Sequence, residues 1–97
     1  MKFDKQEQLY KLSKFYKILS DTTRLRILNV LLDGEMRVND IVNALILNQS
    51  LVSHQLKNLK SANFVKSRRN GKEIIYSISD NHIKVILEYG LVHIGEG

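Results

Sequence analysis

The sequence predicts a mainly α-helical domain that carries one small β-hairpin. Apolar residues recur at helical spacing through most of the chain, which favours amphipathic helices. After Val65 the apolar spacing changes to two, and Asn70-Gly71 lies between two strand-like segments. Both residues accept a positive φ in a tight turn, so this pair is a strong hairpin signal. Proline is absent and no repeat or linker interrupts the chain, which predicts a single domain over residues 1–97.

The first two helices follow from apolar spacing and from a cap between them. Residues 5–19 place leucines and aromatic residues at helical spacing, which predicts an amphipathic helix. Ser20 or Asp21 is expected to cap the second helix, because a short polar side chain can accept from free backbone N–H groups. Asp33-Gly34 ends this helix, since glycine tolerates a positive φ.

Two further helices are predicted close together. The third is short, and its apolar positions are Val38, Ile41, Val42 and Leu45. Asn48 is expected to cap a fourth helix, which runs from Gln49 to about Ser61 with Val52, Leu56 and Leu59 facing inward. Only a few residues separate these two helices, as is typical of a helix-turn-helix.

A last helix is predicted to begin near Asp80, and Gly90 within it would let another backbone approach closely. The apolar residues of this helix that are expected to be buried are Ile83, Ile86, Leu87, Leu91 and Ile94. Short helix, tight turn, second helix and basic hairpin is the order of a winged helix-turn-helix. The sequence therefore predicts five helices, with a two-stranded wing between the fourth and the fifth.

Composition limits the possible functions. The chain has no cysteine, which excludes disulfides, thiolate metal sites and cysteine catalysis. No apolar run approaches the roughly 20 residues that a membrane span needs, and the N-terminal segment is too charged for a signal peptide. We therefore expect a cytoplasmic protein without a membrane partner. The net charge of +5 favours a polyanionic partner.

Two basic or polar segments predict contact with double-stranded DNA. The fourth helix leaves a face rich in hydrogen-bond donors, and no acidic residue occurs from Asn48 to Ser67. Side chains of this kind can meet base edges and phosphates, while a basic hairpin tip suits phosphates or the minor groove. The alternative is a solvated polar face. The predicted DNA-binding residues are Gln49, Ser50, Ser53, His54 and Lys57 on the helix and Arg68, Arg69 and Lys72 on the wing.

His54 has a second possible role. A histidine can be a metal ligand, but the nearest carboxylate in the sequence is far from His54. Contact with a base or a phosphate is therefore the preferred interpretation.

The C-terminal region shows the pattern Asp80-x-His82, ten residues, His93-x2-Glu96. Eleven residues make about three helical turns, so His82 and His93 share a face but lie roughly 16 Å apart along it. One helix cannot bring both to the same ion. Two copies packed antiparallel about a two-fold axis could, because the start of one helix would lie beside the end of the other.

The donor atoms of this pattern predict the metal. Two imidazoles and two carboxylates suit zinc or cobalt in a near-tetrahedral site, whereas calcium and magnesium prefer oxygen alone. Two symmetric sites per dimer follow, with Asp80 and His82 of one protomer facing His93 and Glu96 of the other. The alternative is a helix end that carries surface histidines and carboxylates by chance.

Three segments resemble the ArsR/SmtB family of metal-responsive repressors: residues 21–28 (DTTRLRIL), 48–59 (NQSLVSHQLKNL) and 69–76 (RNGKEIIY). The resemblance implies a dimeric winged-helix protein whose first and last helices form the dimer interface. It also implies that metal-free protein occupies an operator and leaves it when metal binds. Asp80, His82, His93 and Glu96 match the interfacial zinc site of the family's zinc and cobalt sensors.

The resemblance also has a departure and a further implication. Family members that sense cadmium, lead or arsenic often place a Cys-x-Cys pair at what are here Arg37 and Asn39, so thiolate sensing is not expected. In the resembling sensors, the histidine matching His93 hydrogen-bonds a backbone carbonyl just past the recognition helix. By spacing that carbonyl belongs to Asn63, which the resemblance implies as the coupling residue.

We therefore expect a homodimeric repressor that binds a palindromic operator when metal-free, is released by zinc or cobalt, and controls metal efflux or storage genes. One alternative is a DNA-binding repressor of the same family that senses a non-metal signal. A winged-helix protein-interaction module is another. An enzyme is not expected, because a zinc hydrolase needs an open coordination position and a pocket.

Overall fold

The structure, a computed structural model, describes residues 4–95. In chain order its elements are α1 (Lys5–Ile18), α2 (Thr22–Leu31), β1 (Met36–Arg37), α3 (Val38–Leu45), α4 (Gln49–Ser61), β2 (Val65–Asn70), β3 (Glu73–Ile78) and α5 (Asn81–His93). The predicted mainly α-helical class is confirmed, with α3 and α4 forming the helix-turn-helix and β2 and β3 the wing. None of the helices in this part of the chain is long and apolar enough to cross a membrane.

Side-chain caps fix where α2, α4 and α5 begin. An Asp21 carboxylate oxygen accepts from the backbone N–H of Arg24 at 3.0 Å, and Asn48 Oδ1 accepts from that of Leu51 at 2.8 Å. Asp80 caps α5 in the same way. Each cap satisfies an N–H group that has no partner within its helix, so the predicted starts of α2, α4 and α5 are confirmed.

The sheet differs from the prediction in one strand and one turn. Its strand order is β1-β3-β2, antiparallel throughout. The strand β1 was not predicted, because two residues are too few to show an alternating pattern. The expected turn at Asn70-Gly71 is one residue early: Asn70 pairs with Glu73, which leaves Gly71-Lys72 as the loop, and of these only Gly71 has a positive φ, of 66°. Glycine at the first loop position is the requirement of a II′ turn.

The core lies between α2, α4 and the base of the wing. Val52, Leu56 and Leu59 are fully buried as predicted. Phe64, which follows α4, is 1% exposed and stacks on Phe15 of α1 with ring centroids 4.8 Å apart. Among residues 4–95, the buried apolar residues are Ile27, Leu28, Leu31, Ile41, Val52, Leu56, Leu59, Phe64, Val65, Ile75, Tyr76 and Ile83.

Burial of the whole apolar face of α5 was a wrong prediction for the single chain. Ile83 is buried, but Leu91 is 38% exposed and Ile94 is 71% exposed. The reason is that the second half of α5 runs past the core, where the described residues only partly cover it. The helix α1 likewise contains no buried residue.

In the part of the chain that the structure describes, two non-glycine residues adopt the left-handed backbone conformation, one before α4 and one after it. Ile46, in the turn before α4, has φ 55° and its side chain is 90% exposed. Asn63, just after α4, has φ 64°. A β-branched residue rarely adopts this conformation, whereas asparagine does so more readily.

Candidate nucleic-acid interface and metal centre

The outer face of α4 presents the predicted DNA-reading side chains to solvent. The buried side chains of Val52, Leu56 and Leu59 fix the orientation of the helix, so the opposite face is exposed. His54 lies 3.4 Å from the Asn58 side-chain amide, and no carboxylate contacts it among residues 4–95. On the exposed face the structure places Gln49, Ser50, His54 and Lys57 in solvent and leaves Ser53 partly buried.

The three wing residues predicted to bind DNA, Arg68, Arg69 and Lys72, are not equivalent. Arg68 donates to both carboxylate oxygens of Glu35, at 2.5 and 3.3 Å. These hydrogen bonds hold the pKa of Glu35 below its ordinary value. Arg69 and Lys72 are exposed and form no ion pair with any residue that the structure describes. The Glu35 contact could not be predicted from local sequence patterns, because Glu35 and Arg68 are 33 positions apart.

Arg37 fixes the wing to the helix-turn-helix. Its guanidinium donates to Asp40 at 2.9 Å and to Glu73 at 3.1 Å, and the hydrogen bonds from Arg37 lower the pKa of the Asp40 carboxyl. Lys72 at the wing tip and Gln49 at the start of α4 line one groove with Arg37 and Glu73. The fold therefore brings the wing tip and the beginning of the predicted reading helix to one surface.

Replacing Glu35 with glutamine is expected to release Arg68 for phosphate contact. Operator affinity at low salt should rise, and the slope of log affinity against log salt should steepen by about 0.9, the value for one more neutralised phosphate. The same titration with Glu88→Gln is the control, since it removes one exposed carboxylate from α5 without freeing Arg68. An identical slope for wild type and Glu35→Gln would show that Arg68 makes no new phosphate contact.

The Glu35 contact also has a defined pH range. Because the hydrogen bonds from Arg68 depress the pKa of Glu35, the ion pair is complete above the unfolded-state pKa of this carboxyl. It is lost only as the pH falls through the lower, folded-state value. The Arg68 guanidinium consequently remains paired at neutral pH.

The predicted metal ligands Asp80 and His82 lie together at the start of α5. One carboxylate oxygen of Asp80, Oδ1, accepts from the backbone N–H of His82 at 2.9 Å and lies 3.2 Å from His82 Nδ1. The His82 side chain is 90% exposed and that of Asp80 is 56% exposed. The second carboxylate oxygen has no partner among the described residues. Nitrogen and oxygen donors so arranged suit zinc or cobalt.

The other two predicted ligands do not join this pair within one chain. His93 is the last residue of α5 and is exposed. It lies roughly 16 Å from His82 along the helix axis. Glu96 lies outside the described residues. Within residues 4–95, no group of three or more potential ligands forms in the single chain. The four-ligand set thus stays a prediction that requires a second copy.

The carbonyl implied as the coupling acceptor has a partner in the structure. The Asn63 carbonyl oxygen accepts from Ser79 Oγ at 2.7 Å, and the Phe64 carbonyl accepts from the Ser79 backbone N–H at 3.1 Å. Ser79 immediately precedes Asp80. The connection between the end of α4 and the start of α5 is therefore direct, although the sequence analysis did not identify Ser79.

Comparison with known proteins decides the family. The family described as "Bacterial regulatory protein, arsR family" matches residues 21–67, from the cap of α2 into the wing. A cadmium resistance transcriptional regulatory protein CadC homolog from Staphylococcus aureus is 39% identical over 84% of this chain and 68% of its own length. The chain belongs to the arsR family. The resemblance inferred from the sequence is confirmed, as is the expectation of a regulatory protein rather than an enzyme.

One more relative and one solved structure are similar to this arsR family member. A transcriptional repressor SmtB homolog from Synechocystis is 39% identical over 79% of the chain, which spans only 58% of that relative's length. A homodimeric winged helix-turn-helix DNA-binding domain from Mycobacterium bovis, a possible ArsR-family transcriptional regulator, has a TM-score of 0.87 at 29% identity. That match covers 99% of this chain and 89% of the solved domain.

Proposed function

We propose that this arsR family protein is a homodimeric transcriptional repressor that binds a palindromic operator in its metal-free form and is released by zinc or cobalt. The observation that carries the proposal is the placement of Asp80 and His82 at one end of α5 and His93 at the other. A single chain brings only Asp80 and His82 together, whereas two antiparallel copies of α5 would bring His93 of each chain to the Asp80 and His82 pair of the other. Metal efflux or storage genes are the expected targets.

Dimer formation is supported by apolar surface that the single chain leaves open. A groove of 440 Å³ lies between the end of α1, α2 and α5, and most of its lining is apolar, including Leu19, Leu25 and Leu91. Exposed apolar side chains continue along α1 and α5. Contiguous apolar surface of this kind marks an interaction site, and the M. bovis neighbour is homodimeric. A second copy, packed through α1 and α5, is the partner proposed here.

The choice of zinc or cobalt rests on donor chemistry. One relative is described as a cadmium resistance regulator, but this chain has no cysteine and so no thiolate for a soft ion. Imidazole and carboxylate donors favour zinc or cobalt. When bound, the ion would supply a cross-link between the α5 helices of two protomers. Asp80 and His82 would contribute one half of each site, and His93 and Glu96 of the other protomer the second half.

Operator recognition would use α4 and the wing. Two copies of α4 would enter successive major grooves about one DNA turn apart. The polar side chains of α4 would read base edges, while Arg69, Lys72 and Lys57 would contact phosphates. Metal would weaken DNA binding because it binds more tightly to the conformation of the dimer that has low affinity for DNA. Bound DNA would then weaken metal binding by the same factor.

A titration of operator affinity tests this function. The metal-free protein would first be used to select a palindromic duplex from random DNA. Fluorescence anisotropy would then measure binding of the protein to this duplex, with and without one zinc ion per protomer. Zinc is expected to lower the affinity by roughly 5- to 150-fold, the typical range of such couplings. Unchanged operator affinity for protein shown to carry zinc would instead support a repressor of this family that senses a non-metal signal. Failure to select any sequence would contradict operator binding itself.

A further inference from the structure

The end of α4 is a tightly hydrogen-bonded turn centred on Asn63. The Asn63 N–H donates to the Lys60 carbonyl at 3.0 Å, and the Phe64 N–H donates to the Leu59 carbonyl at 2.8 Å. These two bonds and the positive φ of Asn63 make a Schellman motif, in which an apolar contact commonly joins the residues that flank the turn. Leu59 and Phe64 are both buried in the core. The backbone at the end of the reading helix is therefore held in one conformation.

Ser79 joins this turn to the proposed metal ligands. Its hydroxyl donates to the Asn63 carbonyl at 2.7 Å, and its backbone N–H donates to the Phe64 carbonyl at 3.1 Å. The next residue is Asp80, whose carboxylate both caps α5 and contacts His82. A single residue, Ser79, thus connects the proposed metal ligand Asp80 to the turn that ends α4, because Ser79 precedes Asp80 in the chain and hydrogen-bonds to that turn.

We propose that Ser79 is a positioning residue that couples the metal-ligand pair to the reading helix through its hydroxyl bond to the Asn63 carbonyl. The inference rests on the proposed function and adds its internal connection. A change in the position of Asp80 alters the backbone of Ser79, and the hydroxyl bond passes this change to the turn at Asn63. The Asn63 carbonyl has two lone pairs, so it can accept from Ser79 and still accept a second donor such as the His93 imidazole.

The hydroxyl bond makes a contribution that the backbone cannot replace. The Ser79 N–H bond to Phe64 would survive a change of side chain, because it belongs to the main chain. Removal of the hydroxyl alone would leave the Asn63 carbonyl without its side-chain donor. Ser79→Ala therefore separates the proposed coupling from the fold, and Ser79→Thr restores a hydroxyl at the same position.

The experiment measures the ratio of operator dissociation constants with and without zinc for wild type, Ser79→Ala, Ser79→Thr and Ser77→Ala. Ser77→Ala is the matched control, since it removes a hydroxyl from β3 two residues earlier without touching Asn63. Zinc affinity is measured separately by competition with a chelator, and amide hydrogen exchange at Asn63 and Phe64 is followed in the metal-free proteins. Ser79→Ala is expected to bind zinc like wild type. Its ratio of operator dissociation constants should fall at least fivefold or to one, and hydrogen exchange at the Asn63 and Phe64 amides should be faster.

Rescue of the ratio by Ser79→Thr and a normal ratio for Ser77→Ala would support the proposal. A wild-type ratio in Ser79→Ala would overturn it and leave the repressor function intact. If Ser79→Ala loses the same amount of operator affinity with and without zinc, the coupling proposal is also overturned, since the hydroxyl would then be only structural. If wild type itself shows no response to zinc, the failure belongs to the proposed function and removes the basis for the coupling.

Discussion

Mixed dimers of His82→Ala and His93→Ala chains are expected to bind one tight zinc ion per dimer, although neither variant binds zinc tightly alone. In each homodimer both symmetric sites lack an imidazole. In the mixed dimer, Asp80 and His82 of the His93→Ala chain meet His93 and Glu96 of the His82→Ala chain. One complete site results, while the other site has lost both imidazoles.

This experiment distinguishes a shared site from one formed within a chain. Chains with different affinity tags would be co-expressed, purified through both tags and titrated with zinc against a chromophoric chelator. Loss of one imidazole from every site is expected to weaken zinc binding by well over tenfold, because even supporting residues of a metal site change the affinity by about 10- to 100-fold. Mixed dimers that bind no tight zinc would contradict ligand sharing. The doubly substituted His82→Ala/His93→Ala chain paired with wild type is the control, since neither of its sites keeps both imidazoles.

Phe64→Ala is expected to lower the free energy of unfolding by about 3–5 kcal/mol, the usual effect of removing a buried phenylalanine ring. The ring is 1% exposed and stacks on Phe15, so its loss leaves a cavity between α1 and the end of α4. Urea denaturation followed by circular dichroism measures the effect. Because unfolding of the proposed dimer would depend on protein concentration, all variants are compared at one concentration.

Two comparisons make the stability measurement specific. Phe64→Leu retains much of the apolar volume and should cost clearly less than Phe64→Ala. Lys66→Ala, at an exposed position of β2, should change the stability by no more than about 0.5 kcal/mol. A loss below about 1 kcal/mol for Phe64→Ala would show that the neighbouring side chains can close the space.

Features set by neighbouring residues in the sequence could be predicted, and the structure shows why. Asp21, Asn48 and Asp80 act on backbone groups two or three residues away, so local chemistry identifies the caps. Apolar spacing likewise identified the inward face of α4. The family resemblance rests on residues 21–28 and 48–59, which include two of these caps, and on the wing residues 69–76.

Features that depend on distant residues could not be predicted. The Glu35 contact to Arg68 and the Ser79 bond to Asn63 join residues 33 and 16 positions apart. The left-handed conformation of Ile46 contradicts its local preference, since the fold imposes the turn between α3 and α4. The exposure of Leu91 and Ile94 reflects where α5 passes the end of the core, which apolar spacing alone cannot indicate.

Under the proposed function, the distance between the two ends of α5 makes the metal sensitivity of the protein depend on its concentration. If each site takes donors from both chains, metal binding and association of the chains are one linked equilibrium, and the ion must stabilise the dimer as the dimer stabilises the bound ion. Dilution then lowers the apparent metal affinity. The metal concentration that induces transcription would consequently depend on the copy number of the protein, so that synthesis of more repressor would alter the sensitivity of the response as well as the strength of repression.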